Sequence, residues 1–257
     1  MTAPALTVLE QIAFEAGDIL RQSFGGRNSV DYKSLIDLVT DVDRRSEAYI
    51  IGEIQKRFPD HHILAEESGE TEGDREHTWY VDPLDGTVNY AHGIPIFTVS
   101  LAYAYRGEVQ MGVVYGPMLD ECFSAQLGKG AWLNGQPVHV AQASDLDHSL
   151  LTTGFPYDIR SYPTNLEYYR RFALLTQGVR RLGSAALDLC YVAAGKFDGY
   201  WEAWIQPWDV AAGVLIAQEG GAVVTRMDGS PFRLRPPLNI LAANTQLHPL
   251  MLAVIRE

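Results

Sequence analysis

The sequence predicts a mixed α/β protein in two parts, and three observations carry that prediction. Two stretches near the start keep apolar residues at helical spacing. Residues 97–133 then alternate or run apolar in short segments broken by Gly, Pro and Asp. Beyond a polar linker at 141–149 (AQASDLDHS), strands and helices alternate to the end. Residues 1–145 are therefore expected to form an α+β domain and residues 146–257 an α/β domain.

Taken in order, residues 4–24 form a helix with Leu6, Leu9, Ile12, Ala13, Ala16, Ile19 and Leu20 on one face, stopped by Gly25-Gly26. Residues 31–43 (DYKSLIDLVTDVD) read as a polar loop. Its acids Asp37, Asp41 and Asp43 suit the N-terminus of a second helix, 44–58, where they oppose the helix dipole. Pro59 ends that helix. His61–Ala65 is a strand ending in Glu66-Glu67, its two histidines expected at the surface. The polar run 68–77 reads as a flexible loop. Strands at 97–105, 108–115, 120–126 and 131–133 form an antiparallel meander, with Asn134-Gly135 as a tight turn. The second part reads as strands at 150–154, 178–182, 198–202, 221–225 and 238–243, with helices at 163–176, 184–195, 208–219 and 246–256. Trp201 and Trp204 are expected in the core.

Composition narrows the function. Hydrophobic residues make up 47% and charged residues 20%, ordinary for a globular protein. A net charge of −12 argues against nucleic acid as a ligand, because no basic footprint exists to neutralise its phosphates. Cys122 and Cys190 stand far apart with no C-x-x-C pair, so they read as reduced core thiols of a cytoplasmic protein. The N-terminus lacks the basic start of a signal peptide, and no apolar run approaches a membrane span.

The stretch WYVDPLDGTVNY, residues 79–90, organises the chain. A buried strand delivers Asp82, and Pro83, without an N–H, should end the pairing there. Asp85-Gly86 makes a turn and Thr87 starts a short helix. Paired acids on a tight turn suit a hard divalent cation, and N–H groups at a helix start suit a phosphate. The same residues also fit a plain Asp-Gly turn. An EF-hand loop fits poorly, because Val81 and Pro83 would fall where acids are needed. Gly183-Ser184 opens a helix that either contacts a ligand or packs closely. Asp209, in the first turn after Pro207-Trp208, reads equally as a capping acid.

Together these segments resemble the inositol monophosphatase family of Mg²⁺-dependent, lithium-sensitive phosphatases. DPLDGTVNY at 82–90 and WDVAAGVLIAQEGG at 208–221 are similar to its two signatures, and AEES at 65–68 to its Glu-Glu segment, with Ala65 where many members carry Gly. The resemblance implies a layered αβαβα sandwich of the sugar-phosphatase type, a homodimer, and two to three Mg²⁺ ions per site. It implies one ion on Glu66, Asp82 and the Leu84 carbonyl, a second on Asp82, Asp85 and Asp209, and a third touching Glu66. A metal-activated water, oriented by Glu66 and Thr87 with Asp43 polarising Thr87, would attack phosphorus in line. Lys33 and the Gly86 and Thr87 N–H groups would face the phosphate. Gly183, Ser184, Ala185, Glu202 and Asp209 would face the alcohol. The implied substrate is myo-inositol monophosphate, with histidinol phosphate or fructose 1,6-bisphosphate as alternatives. A non-catalytic binding protein that kept the fold is the contrasting reading. Bound cations would also explain how so acidic a chain attracts a phosphate.

Overall fold

The computed structural model describes residues 3–26, 30–32, 38–156 and 163–256. Helix α1 (Leu6–Ser23) buries Leu9, Ile12, Ala13, Ala16 and Leu20 along one face. Strands β1 (Val30–Tyr32) and β2 (Leu38–Thr40) pair antiparallel, so the expected loop contains a small ladder. Helix α2 (Asp41–Arg57) starts at Asp41 rather than 44, because Thr40 caps it. The Thr40 hydroxyl accepts from the Val42 and Asp43 N–H groups, and the Asp43 carboxylate accepts from the Thr40 N–H at 2.9 Å, a reciprocal capping box.

Strand β3 (His61–Ala65) forms as expected, while β4 (Gly69–Thr71) and the start of β5 (Asp74–Asp85) replace the flexible segment expected at 68–77. β5 also runs past Pro83. Its pairing loses register after Asp82 and resumes where Asp85 meets Thr98, so the proline displaces the ladder without ending it. Helix α3 (Thr87–Ala91) follows. The meander is β6 (Thr98–Tyr105), β7 (Glu108–Gly116), β8 (Glu121–Gln126), β9 (Gly130–Leu133) and β10 (Gln136–Pro137). These strands form an eight-stranded sheet in the order β10-β9-β8-β7-β6-β5-β3-β4.

The remaining elements are β11 (Leu150–Thr153), α4 (Thr164–Leu175), β12 (Gly178–Arg180), α5 (Ala185–Ala193), β13 (Gly199–Ile205), α6 (Pro207–Glu219), β14 (Val223–Thr225), β15 (Leu238–Ala243) and α7 (Leu247–Arg256). Their strands form a five-stranded sheet, β12-β11-β13-β15-β14.

Four buried clusters define five layers. α1 and α2 pack on one face of the large sheet through Leu9, Ile12, Ile50, Trp79 and Leu101. α5 and α6 cover its other face through Leu187, Ala211 and Leu215 against Ala102, Val114 and Phe123. The far sides of α5 and α6 pack on the second sheet through Leu189, Val210 and Ile240. α4 and α7 close the outside through Phe172, Trp201 and Met251. The α/β class and the αβαβα layering are therefore as the sequence implied. The middle layer is buried on both faces, and it lies close: a Cβ on Gly213 would come 2.9 Å from Leu189.

Three side chains depart from expectation. His61 and His62 are buried, not superficial; His61 accepts from the Trp79 indole N–H and stacks on His77 at 4.5 Å. Trp201 is in the core, but Trp204 is 46% exposed. Cys122 and Cys190 are free and buried. Among the described residues no helix is long and apolar enough to cross a membrane.

Candidate active site

A cavity of about 390 Å³ opens where the strand ends of the large sheet meet the N-termini of α5 and α6. Glu66, Asp82, Leu84, Asp85, Gly86, Thr87, Gly183, Ser184, Ala185, Glu202 and Asp209 all line it. Asp43 stands behind Thr87, whose hydroxyl lies 3.1 Å from Asp43 Oδ1 and 3.0 Å from the Leu84 carbonyl. One proton serves one acceptor at a time. Lys33 and Asp37 lie outside the described residues.

One helix face holds the loop segments in place. Asp43, Ser46 and Glu47 of α2 project together, as i, i+3 and i+4 residues do. Asp43 meets Thr87, the Ser46 hydroxyl donates to the Pro83 carbonyl at 3.0 Å, and the Glu47 carboxylate accepts from the Glu67 and Ser68 N–H groups at 2.8 and 2.9 Å. Glu47 thereby fixes the turn that follows Glu66. Gly86 is required by space and by backbone: its φ is +100°, and a Cβ would come 3.0 Å from the Ile96 carbonyl and 3.2 Å from that of Gly183.

The two halves meet through side chains. Asn89 donates to the Ile96 and Leu182 carbonyls at 2.8 and 2.7 Å. The Ser184 hydroxyl and the Ala186 N–H both donate to Asp85 Oδ2, at 2.7 and 2.8 Å, so the N-terminus of α5 faces an acid. Ser184 thus acts on Asp85 as well as lining the cavity. Asp209 Oδ2 accepts from the Gln206 N–H at 2.9 Å. It is both a capping acid and a cavity wall residue.

The acids crowd one another. Burial pushes the Asp82 carboxyl well above the usual carboxylate range, and Glu66, Asp85 and Asp209 push it further; Glu66 is within hydrogen-bond contact. Burial raises Asp85 to about 6 against the pull of Ser184 and Ala186. The Asp209 carboxyl is raised by its enclosure, then by Glu66 and Asp85, although the residue as a whole is half-buried by surface area. Asp43 is also raised by burial, with Thr40 and Thr87 opposing.

Among the described residues, no three His, Cys, Asp or Glu side chains converge in metal-holding geometry. Each of three acids gives one oxygen to the protein: Asp82 Oδ1 to the Leu84 N–H, Asp85 Oδ2 to Ser184 and Ala186, and Asp209 Oδ2 to Gln206. Asp82 also lies within hydrogen-bond contact of Glu66. An all-oxygen donor set under mutual repulsion fits hard divalent cations.

The whole chain, residues 1–257, matches the sequence profile of the inositol monophosphatase family. It belongs to that family. An inositol-1-monophosphatase of Synechocystis is 47% identical over 214 residues, covering 82% of this chain and 74% of the relative. Nus factor SuhB of Escherichia coli is 40% identical over 258 residues, covering 99% of this chain and 96% of the relative. The solved inositol monophosphatase of Anabaena is 42% identical with a TM-score of 0.88, covering 98% of this chain and 94% of that one. Membership of the inositol monophosphatase family supports a phosphatase acting on small phosphate monoesters.

Sequence reasoning missed several residues in and behind the cavity wall of this inositol monophosphatase family member. Tyr200 donates to Glu202 Oε2 at 2.6 Å, and both sit on the same face of β13. A Cβ on Gly154 would fall 1.9 Å from Glu202 Oε2, so that glycine makes room for the carboxylate. Asp188 lines the cavity with Oδ1 on the Thr152 hydroxyl at 2.7 Å and Oδ2 buried without a partner. The i, i+2 spacing of Tyr200 and Glu202 was a usable signal; Gly154 and Asp188 gave none.

Proposed function

We propose that the chain hydrolyses a small phosphate monoester with Mg²⁺, and that myo-inositol monophosphate is its leading substrate. The observation that carries this reading is the single cavity lined by Glu66, Asp82, Asp85, Thr87 and Asp209, with Asp43 behind Thr87.

In this reading Glu66, Asp82, Asp85, Asp209 and the Leu84 carbonyl would hold two to three Mg²⁺ ions. Bound there, the cations would supply Lewis-acid charge to the phosphoryl and leaving oxygens and make adjacent water more acidic. The rest of the chemistry belongs to the chain's own residues. Thr87 gives its proton to Asp43 Oδ1, which leaves a hydroxyl lone pair to accept from the attacking water and aim it. As the water oxygen bonds to phosphorus and the ester P–O bond breaks, Glu66 takes the water's second proton and the departing alcohol oxygen takes a proton from solvent water. The Gly86 and Thr87 N–H groups, at the turn into α3, grip phosphate oxygens, and Lys33 adds positive charge beside them. Glu202, held by Tyr200, accepts hydroxyl protons of the alcohol, with Gly183, Ser184, Ala185 and Asp209 closing around it.

Asp188 favours a second reading. Its unpartnered Oδ2 lies near Glu202, and although Arg181 on the same cavity wall offsets part of their charge, the two carboxyls give this end a character that also suits an amine, as in histidinol phosphate. A panel of inositol, sugar, amino-alcohol and nucleotide monophosphates assayed with Mg²⁺ separates these. Fastest turnover of inositol monophosphate supports the first reading and of histidinol phosphate the second. No turnover of any member would favour a binding protein. Lithium inhibition, a homodimer and a cytoplasmic location belong to the same proposal. They are read by inhibition at millimolar lithium, by sedimentation and by fractionation.

A further inference from the structure

Trp204 occupies a position that neither backbone preference nor burial explains. It is the extra residue of a bulge in β13: Ala203 pairs with Asn239 and Ile205 with Leu238, and the register steps over Trp204. Its φ is +65°, the left-handed region that bulges usually fill with Gly and that bulky side chains avoid. Its neighbours Ala203 and Ile205 are buried, while Trp204 is 46% exposed. Yet it lines the cavity, two residues beyond Glu202. Backbone held in a disfavoured region at a cavity wall points to a functional demand on the side chain.

The surroundings define that demand. β11 and β13 lie side by side, Thr153 opposite Trp201, so residues 154–156 leave the sheet beside residues 202–204. Phe155 joins Trp204 on the cavity wall. Glu202 and Asp188 supply carboxylate acceptors at the same end. A ring bearing hydroxyls has a polar edge and apolar C–H faces. Its edge matches the acids and its face matches an indole. An open-chain alcohol has the hydroxyls but no flat face, and a plain aryl group has the face but no hydroxyls for the acids.

We propose that Trp204 is a specificity-determining residue: its indole is the wall on which the ring face of a cyclic polyol rests, so the site selects ring-bearing phosphate esters over open-chain ones. The proposal rests on the phosphatase reading above and deepens it. Selection adds to what Glu202 provides, because hydroxyl contacts alone do not separate a cyclic from a linear polyol.

The test compares myo-inositol 1-phosphate with glycerol 1-phosphate on the wild type, Trp204→Ala and Trp204→Phe, by initial rates with Mg²⁺ and by calorimetric titration with calcium in its place. The wild type should favour the ring ester by about tenfold or more, the scale of one apolar pocket contact. Trp204→Ala should bring that preference below about threefold, mainly through a raised KM for the ring ester, and Trp204→Phe should restore it. Equal weakening of both esters, or an unchanged ratio, overturns the role of Trp204. If the wild type hydrolyses neither ester but the binding ratios behave as stated, the phosphatase reading falls and the ring selection stands. If it hydrolyses both and the ratio ignores position 204, the reverse holds.

Discussion

Asp85 shows how much one carboxylate does here. Its Oδ2 receives Ser184 and Ala186 from the second half of the chain, and its carboxyl sits beside Asp82 and Asp209. Asp85→Asn keeps an oxygen for those donors and removes the charge. Turnover should fall below detection while circular dichroism and melting stay near wild type; near-normal turnover would remove Asp85 from the cation-holding set. Glu202 allows a pH prediction. Burial raises its carboxyl to about 7 against the Tyr200 hydrogen bond, above its ordinary 4.5. Between those values the folded chain holds a proton that the unfolded chain has released. The resulting stability is present below the lower value and is lost as pH rises through the higher one. Glu202→Gln removes this dependence. In EDTA, its stability in urea should match wild type near pH 4 and exceed it near pH 8 by up to about 3 kcal/mol. An equal difference at both pH values would contradict the assignment.

Helix α6 links packing to the site. Asp209 caps its start, and Glu219 at its end accepts from the Gly128 and Gly130 N–H groups at 2.8 and 2.7 Å. Between them it lies so near β7 that a Cβ on Gly112 would come 2.9 Å from the Ala212 Cα. Backbone cannot yield there as a flexible side chain would. Gly112→Ala should therefore push α6 off the sheet, at a cost of about 1–3 kcal/mol in urea unfolding, and lower kcat by moving Asp209. A variant with full stability and activity would show that α6 is not held this tightly. The small residues of α6 were legible as a helix from their spacing, but the close approach was not, since it depends on which strand lies opposite. The ladder before α2 was hidden for a related reason: its strands are three residues each, too short to show a period, and only their pairing with one another marks them. Thr40 and Asp43 did carry a capping signal, at the spacing of Ser/Thr and an acid three residues on. The histidines of β3 show the limit of residue type as a guide. His61 and His62 are polar by name, yet strand pairing and the rings of Trp79 and His77 enclose them.

Across the whole molecule, the layering places acids from both halves around one volume. Glu66, Asp82 and Asp85 come from the strand ends of the large sheet, and Glu202 and Asp209 from the second half. The middle helices α5 and α6 touch both sheets, so the cavity depends on the halves docking as one. The acids were legible in the sequence because DPLDGTVNY and WDVAAGVLIAQEGG are long, specific strings. The supports were not, because Glu47, Asn89 and Gly154 act through contacts far apart in the chain. Trp204 was expected in the core, and its place on the cavity wall was not legible because it depends on a bulge. On the proposed reading these acids act by holding magnesium, and magnesium overcomes a net charge of −12 to draw in a phosphate. The most direct measurement is the initial rate of phosphate release from myo-inositol 1-phosphate, first in EDTA and then across a magnesium titration. The account predicts no release in EDTA and a saturable rise with added magnesium; release undiminished in EDTA would contradict it.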